Sequence, residues 1–150
     1  MVNKNFTDKS GADSGGSRQV MARLNELLET LACDVMSFKA RATLIHAGEV
    51  CERLYMLRSG WVHRYQLLPD GRKQIFCFFT DGDLVTPSLI PTPHSHFTIS
   101  ALVEGEALVI DRTALIAAMA KDPSAMEAVL AAMAYRQRYV DERMVELGRL

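Results

Sequence analysis

The spacing of apolar residues changes along the chain, and each spacing predicts a different kind of element. From Val20 to about Val35, apolar side chains recur three and four positions apart, as on one face of an amphipathic helix. Between residues 36 and 111 they come in short runs separated by turn residues. Helical spacing returns after residue 111. The predicted order is therefore one helix, a region of strands, and further helices.

The short apolar runs of the middle region predict a compact antiparallel sandwich or barrel. Glycines recur about every eleven or twelve residues from Gly48 to Gly82, which is the rhythm of turns between short strands. The stretch Pro69-Asp70-Gly71 predicts a hairpin, because Pro and Gly each supply a backbone angle that a tight turn requires. The predicted strands are 43–45, 54–57, 61–68, 74–79, 97–102 and 107–110.

The last forty residues predict two helices. A short helix covers 112–120 and breaks at Asp122-Pro123. Proline fits the first turn of a helix, so the next helix begins near Ser124 and continues to the end of the chain.

One face of this long helix carries a heptad seam, with apolar residues alternately four and three positions apart. The seam packs either on its own sheet or against a second copy of the chain. The other face, with Arg136, Arg143 and Glu146, is charged, and a helix of about 40 Å is longer than a small β-roll. We therefore predict a homodimer joined by a parallel two-stranded coiled coil, in which the one polar member sets the register. The seam members are Met126, Leu130, Met133, Gln137, Val140, Met144 and Leu147.

Composition and charge narrow the class of protein. The chain has 150 residues, 49% of them hydrophobic and 23% charged, which suits one globular domain with a proper core. Its net charge of -1 gives no electrostatic reason to expect nucleic-acid binding by these residues. Residues 1–18 are polar and predict a disordered leader without an apolar signal core. No apolar stretch is long enough for a bilayer, so we expect a cytoplasmic protein without a membrane partner.

The three cysteines argue against two common kinds of site. Cys33, Cys51 and Cys77 lie far apart, and no CxxC pair occurs. A zinc ribbon or a clustered iron–sulfur site is therefore poorly supported, and we expect reduced thiols.

Several short motifs in the β-rich region resemble the CRP/FNR family of transcription regulators when they are taken in order. The resemblance covers about residues 20–150, and it lies in the order and spacing of the motifs, since each is little more than a turn glycine with its flanks. The motifs are HAGE at 46–49, LYMLRSGWV at 54–62, DGRKQ at 70–74, GDLV at 82–85 and the strand at 107–111.

The resemblance implies an α+β, mainly β fold: a double-stranded β-helix or jelly roll of the cyclic-nucleotide-binding type, with flanking helices and a long C-terminal dimerisation helix. The units would be a leader at 1–18, the β-roll with its N-terminal helix at 19–123, and the dimerisation helix at 124–150. In this family a helix-turn-helix domain follows that helix. Nothing in the sequence has that pattern, so we expect a fragment, with DNA and RNA polymerase contacted only by a domain beyond it.

The resemblance extends to the fold but not to the ligand. Cyclic-AMP receptors hold the sugar with a Gly-Glu pair and the phosphate with an Arg-Ser or Arg-Thr pair, and these fall near Thr86-Pro87 and Ser95-His96 here. No arginine or lysine lies from Thr80 to Ile110. Because the cyclic phosphate needs a cation and backbone donors, we expect the chain not to bind a cyclic nucleotide.

An unknown small-molecule effector is therefore expected between the roll and the long helix. The two tyrosines of that helix lie one turn apart, and they either line the pocket or only fill the junction. The expected pocket residues are Leu84, Val85, Thr86, His96, Phe97, Thr98, Tyr135 and Tyr139.

His94 and His96 also leave a metal or a haem open as a cofactor, since alternate residues of a strand share one side. The favoured interpretation is that both only form hydrogen bonds, because no carboxylate or cysteine flanks them.

Two other functions remain as alternatives to a regulator. A β-roll of this size is also the shape of cupin-like metal-dependent enzymes, which use His-x-His as ligands. Those enzymes need a further histidine downstream, and none follows His96. A stand-alone cyclic-nucleotide-binding module would need the missing phosphate arginine. No catalytic arrangement of residues is visible, so we expect that the protein is not an enzyme.

Overall fold

The computed structural model describes residues 14–148, and it confirms the predicted order of helix, strands and helices. Residues 1–13 of the expected leader lie outside the described part, while residues 14–18 belong to the first helix. The elements are α1 (Ser14–Leu31), β1 (Ala32–Phe38), β2 (Thr43–Ile45), β3 (Arg53–Leu67), β4 (Lys73–Phe79), β5 (Thr98–Asp111), α2 (Arg112–Lys121) and α3 (Pro123–Gly148), with a short 3-10 helix at Pro87–Leu89 between β4 and β5.

The first helix ends sooner than its apolar spacing predicts. We expected it to continue to about Val35, but β1 begins at Ala32 and pairs with β5 as far as Phe38. The ladder joins Ala32 to Ile110 and Phe38 to Gly105. The backbone polar groups of 32–35 thus form hydrogen bonds with a strand that is distant in the sequence. The helical spacing of apolar residues cannot reveal such long-range hydrogen bonds.

Two pairs of predicted strands are single long strands in the structure. The runs 54–57 and 61–68 form β3, and 97–102 and 107–110 form β5. Both strands bend where Gly60 meets Gly105: a Cβ on Gly105 would overlap the carbonyl of Ser59, and Gly60 has φ of 94°. Glycine therefore lets two adjacent strands bend together, with register shifts in place of a break.

The strands form one antiparallel sheet in the order β1-β5-β3-β4, with β2 also paired to β5. The hairpin between β3 and β4 turns at Asp70 and Gly71, as predicted, with the Arg72 amide donating to the Asp70 carboxylate at 3.0 Å. The sheet rolls around a core that includes the fully buried Leu57 and Val62. This arrangement is the expected mainly β roll with flanking helices.

The helices close one side of the roll. Asp111 caps α2 by accepting from the Thr113 amide at 3.0 Å, and Asp122 accepts from the Ser124 amide at 2.9 Å at the start of α3. Helix α3 packs mainly against α1, whose Leu24 and Leu28 are fully buried. The buried face of α3 consists of Ala125, Ala128, Val129 and Ala132.

Among residues 14–148, no helix has the length and apolar character needed to cross a bilayer.

Candidate effector site

The turn after β4 is fixed to the middle of β3. The Leu57 amide donates to the Asp83 carbonyl at 2.9 Å, and the Val85 amide donates to the Tyr55 carbonyl at 2.8 Å. Leu84 and Val85 are consequently only 3% and 1% exposed. Both predicted pocket residues are thus part of the hydrophobic core.

Thr86 combines two unusual features at this junction. Its φ of 48° and ψ of 73° are left-handed, a region that β-branched residues rarely occupy. Its side chain is buried, and its hydroxyl has no hydrogen-bond partner. The 3-10 helix that follows is held by Arg112, whose Nε donates to the Ile90 carbonyl at 2.7 Å. Thr86 is therefore a strained, unsatisfied position at the start of the segment 86–97.

Inside the roll, a guanidinium lies against an aromatic pair. The Cζ atom of Arg64 on β3 is 4.7 Å from the centre of the Phe97 ring, and Phe97 meets Phe76 edge to face at 4.9 Å. The Arg64 Nε atom is buried without a hydrogen-bond partner. This cluster contains the predicted residue Phe97 together with two residues that the sequence analysis did not single out.

A second arginine joins α3 to the roll. The Arg136 guanidinium pairs with Asp83 at 2.8 Å, donates to the Phe78 carbonyl at 3.3 Å, and lies 4.3 Å from the centre of the Phe79 ring. We placed Arg136 on a charged solvent face, but its side chain is only 15% exposed, because it continues the buried face of α3 one turn beyond Ala132.

Cys77 pairs with Arg64 across the sheet, and it precedes Phe78, whose carbonyl accepts from Arg136. Burial raises the pKa of the Cys77 thiol above its ordinary value; Arg64 and Arg136 act to lower it, and Asp83 acts to raise it. The roll interior at Arg64 and the α3 contact at Arg136 therefore adjoin consecutive residues of β4.

Three predicted pocket residues do not face this cluster. His96 is exposed. The Thr98 hydroxyl accepts from the Ala47 amide at 3.2 Å and so serves a neighbouring turn. Tyr135 is 46% exposed, whereas Tyr139 packs against the core beside Arg136. Tyr135 sits at the edge of the buried face because α3 is turned toward α1.

The two weak metal candidates lie in solvent on either side of a buried serine. His94 and His96 are exposed, while Ser95 between them is 3% exposed and donates to the Phe97 carbonyl at 2.6 Å. Within residues 14–148, no three His, Cys, Asp or Glu side chains come together as metal ligands do.

Two surface pockets of the described residues lie away from the predicted site. One, of about 470 Å³, is at the bend of β3 and β5 beside Phe38 and Gly105. The other lies beside the 49–53 loop. Neither is lined by the Arg64 cluster or by a predicted effector residue.

The seam of α3 lies on the protein surface. Leu130 is 56% exposed, Met144 63% and Leu147 53%. Met126 and Gln137 are also exposed, and Met133 and Val140 are partly buried at the edge of the packed face. The seam is therefore not covered by the chain's own sheet.

Arg64 and Arg136 carry signals that sequence reasoning missed. In the run 61–68, Val62 and Arg64 share the inward side of an alternating strand. In α3, Ala125, Ala132 and Arg136 lie along a second stripe beside the seam. Both signals lie outside the range 80–110, in which the sequence has no arginine or lysine.

Comparison with known proteins gives consistent matches over this region. A family profile for the cyclic nucleotide-binding domain matches residues 35–122. A "CRP-like cAMP-activated global transcriptional regulator" from Mycobacterium tuberculosis is 26% identical over 141 residues, which are 93% of this chain and 60% of the relative. The chain thus spans about three fifths of the length of this relative.

Solved structures show the same fold. FixK2 from Bradyrhizobium japonicum is similar with a TM-score of 0.72 and 27% identity, over 77% of this chain and 58% of that one. The catabolite activator protein of Thermus thermophilus gives a TM-score of 0.68 at 19% identity, over 84% and 59% of the two chains. The chain therefore belongs to the cyclic nucleotide-binding domain family, in the form found in CRP/FNR transcription regulators.

Proposed function

We propose that this chain is the effector-sensing and dimerisation part of a CRP/FNR-type DNA-binding transcription regulator that works in the cytoplasm and is not an enzyme. The observation that carries the proposal is the exposed seam on α3, next to a helix face that is joined to the β-roll through Arg136 and Asp83. Contacts with DNA and RNA polymerase would belong to a further domain.

The geometry of α3 supports a second copy of the chain as the partner of the seam. At about 100° per residue, the seam is centred roughly a quarter turn away from the buried face. A partner helix can therefore pack on the seam without displacing α1 or the roll. Members such as Leu130 and Met144 are large apolar side chains in solvent, which a heptad pairing would bury.

The proposed effector is not cyclic AMP. The segment 86–97 has three prolines and no cation, so it offers few donors for a cyclic phosphate. Titration calorimetry with cyclic AMP tests this point, and micromolar binding would contradict it.

Sedimentation analysis tests the dimer. At about 50 µM we expect the chain to sediment as a dimer and Leu130→Lys to sediment as a folded monomer. Leu130 is 56% exposed, so the lysine does not disturb the fold of one protomer. Val145→Lys is the matched control, because Val145 is also 56% exposed but lies off the seam on the same helix. A monomeric native chain, or equal effects of the two lysines, would contradict the proposal.

A further inference from the structure

Arg64 points into the roll. On β3 it pairs with Cys77 of β4 and with Ile99 of β5, and residues paired across a sheet share a face. Cys77 is 3% exposed and Ile99 is fully buried. The Arg64 guanidinium therefore lies on the core side of the sheet.

No carboxylate accompanies this cation. In the part of the chain that the structure describes, ion pairs form at Arg72, Arg112 and Arg136, and none involves Arg64. Its recorded contact is the face of the Phe97 ring, and its Nε atom is buried without a partner. Arg64 is partly buried, and burying part of a cation without an acceptor is costly unless an anion supplies the opposite charge.

We propose that Arg64 is the anion-binding residue of the effector site, and that the effector is a small organic anion that contains a flat ring and a carboxylate or phosphate. The guanidinium plane offers donors in a fork that matches such groups. Phe76 and Phe97 supply apolar faces for the ring. This inference rests on the proposed function and names the ligand class of its sensing site.

The position of Arg64 also explains how binding of such a ligand would affect α3. Arg64 pairs with Cys77 on β4, and the next residue, Phe78, accepts from Arg136 through its carbonyl, so the anion would sit close to the contact between roll and helix. The ring of Phe97 covers the guanidinium, so binding requires that ring to move. Phe97 ends the irregular segment between the 3-10 helix and β5 and can move without breaking a strand.

Titration calorimetry of the 150-residue chain with three anions tests the proposal. The probes are salicylate, cyclic AMP and cyclic GMP, and their uncharged counterparts are salicylamide, adenosine and guanosine. We expect at least one anion to bind, its counterpart to bind more weakly, and Arg64→Met to weaken the anion roughly tenfold or more. Binding by salicylate alone identifies a carboxylate on a ring; binding by a cyclic nucleotide identifies a phosphate ester and corrects the effector assigned above.

Three variants keep this test clear. Arg64→Lys retains the charge and should bind better than Arg64→Met. Arg58→Met, at an exposed position of the same strand, should bind like the native chain. Arg64→Met should unfold at a temperature no lower than the native chain, because it removes an unpaired charge. A fall of more than about 3 °C would show that Arg64 is structural and would overturn the proposal.

Two further outcomes also overturn it: no anion binds at millimolar concentration, or binding survives in Arg64→Met. Sedimentation of the same samples separates this inference from the proposed function. A dimer without Arg64-dependent binding refutes only the anion site, and a monomer that binds through Arg64 refutes only the dimer.

Discussion

Replacing Arg136 with methionine should destabilise the contact between α3 and the roll. Methionine keeps an unbranched apolar stem but removes the charge and its donors. The guanidinium is held by Asp83 at 2.8 Å, by the Phe78 carbonyl at 3.3 Å and by the ring of Phe79 at 4.3 Å. All three partners belong to β4 or the turn after it, so the change removes one linkage.

The magnitude follows from the exposure of the pair. A hydrogen bond to a charged group contributes about 1.5–3 kcal/mol, and a shielded cation–π contact contributes about 1 kcal/mol. The side chains of Arg136 and Asp83 are 15% and 25% exposed, so water screens part of this attraction. Asp83 also keeps the Thr80 amide, which donates to it at 2.9 Å, when its partner is removed. We expect Arg136→Met to lower the free energy of unfolding by about 2 kcal/mol.

Urea unfolding with a double-mutant cycle measures this linkage. The cycle combines Arg136→Met with Asp83→Asn, and we expect a coupling of about 1 kcal/mol between the two positions. Each variant is unfolded at two protein concentrations, because dimerisation makes apparent stability depend on concentration. Arg138→Met is the control, since Arg138 is exposed on the same helix. A coupling below about 0.3 kcal/mol, or an equal loss in Arg138→Met, would refute the reasoning.

Two other predictions follow from buried polar groups of the roll. Thr86→Gly should raise the free energy of unfolding by about 1 kcal/mol, because it relieves left-handed strain and removes an unpartnered hydroxyl. The glycine adds a smaller opposing cost in backbone entropy. A variant that is less stable in urea than the native chain would contradict this prediction. Burial, assisted by Lys73 and opposed by a backbone hydrogen bond to Ser100, lowers the pKa of His63 below its ordinary value. As the pH falls, His63 is therefore protonated in the unfolded chain before it is protonated in the folded chain. The free energy of unfolding should consequently decrease as the pH drops from about 7 to about 5. Urea titrations at several pH values should show a smaller decrease in His63→Gln.

Features written in local spacing were predictable. The turn at Asp70-Gly71, the break before Pro123 and the start of α3 each depend on one or two residues with strict backbone preferences. The seam was also visible, because seven residues repeat a single period. These elements follow from the chain's own geometry and need no knowledge of the neighbouring strands.

Features that depend on two distant segments were not predictable. The bend shared by β3 and β5 arises because Gly60 and Gly105 meet, although either glycine alone resembles a turn. In the same way, Arg64 and Phe97 come together only because β3 and β5 are neighbours in this sheet. The Arg64 site proposed above could therefore not be found from the sequence, since only pairing across the sheet brings Arg64 and Phe97 together.

The position of Arg136 in α3 provides a mechanical link between the proposed effector site and the proposed dimer seam. Arg136 and Gln137 are consecutive residues, so the contact with the roll and the seam lie on the same turn of one helix. A helix is stiff over one turn, because each of its backbone hydrogen bonds spans four residues. A ligand at Arg64 that moves the Asp83 turn would have to break the pair with Arg136 or carry Arg136 with it. In the second case the seam rotates together with Arg136. Because the seam side chains of the two helices interlock in the dimer, this rotation must change the angle at which the two helices cross.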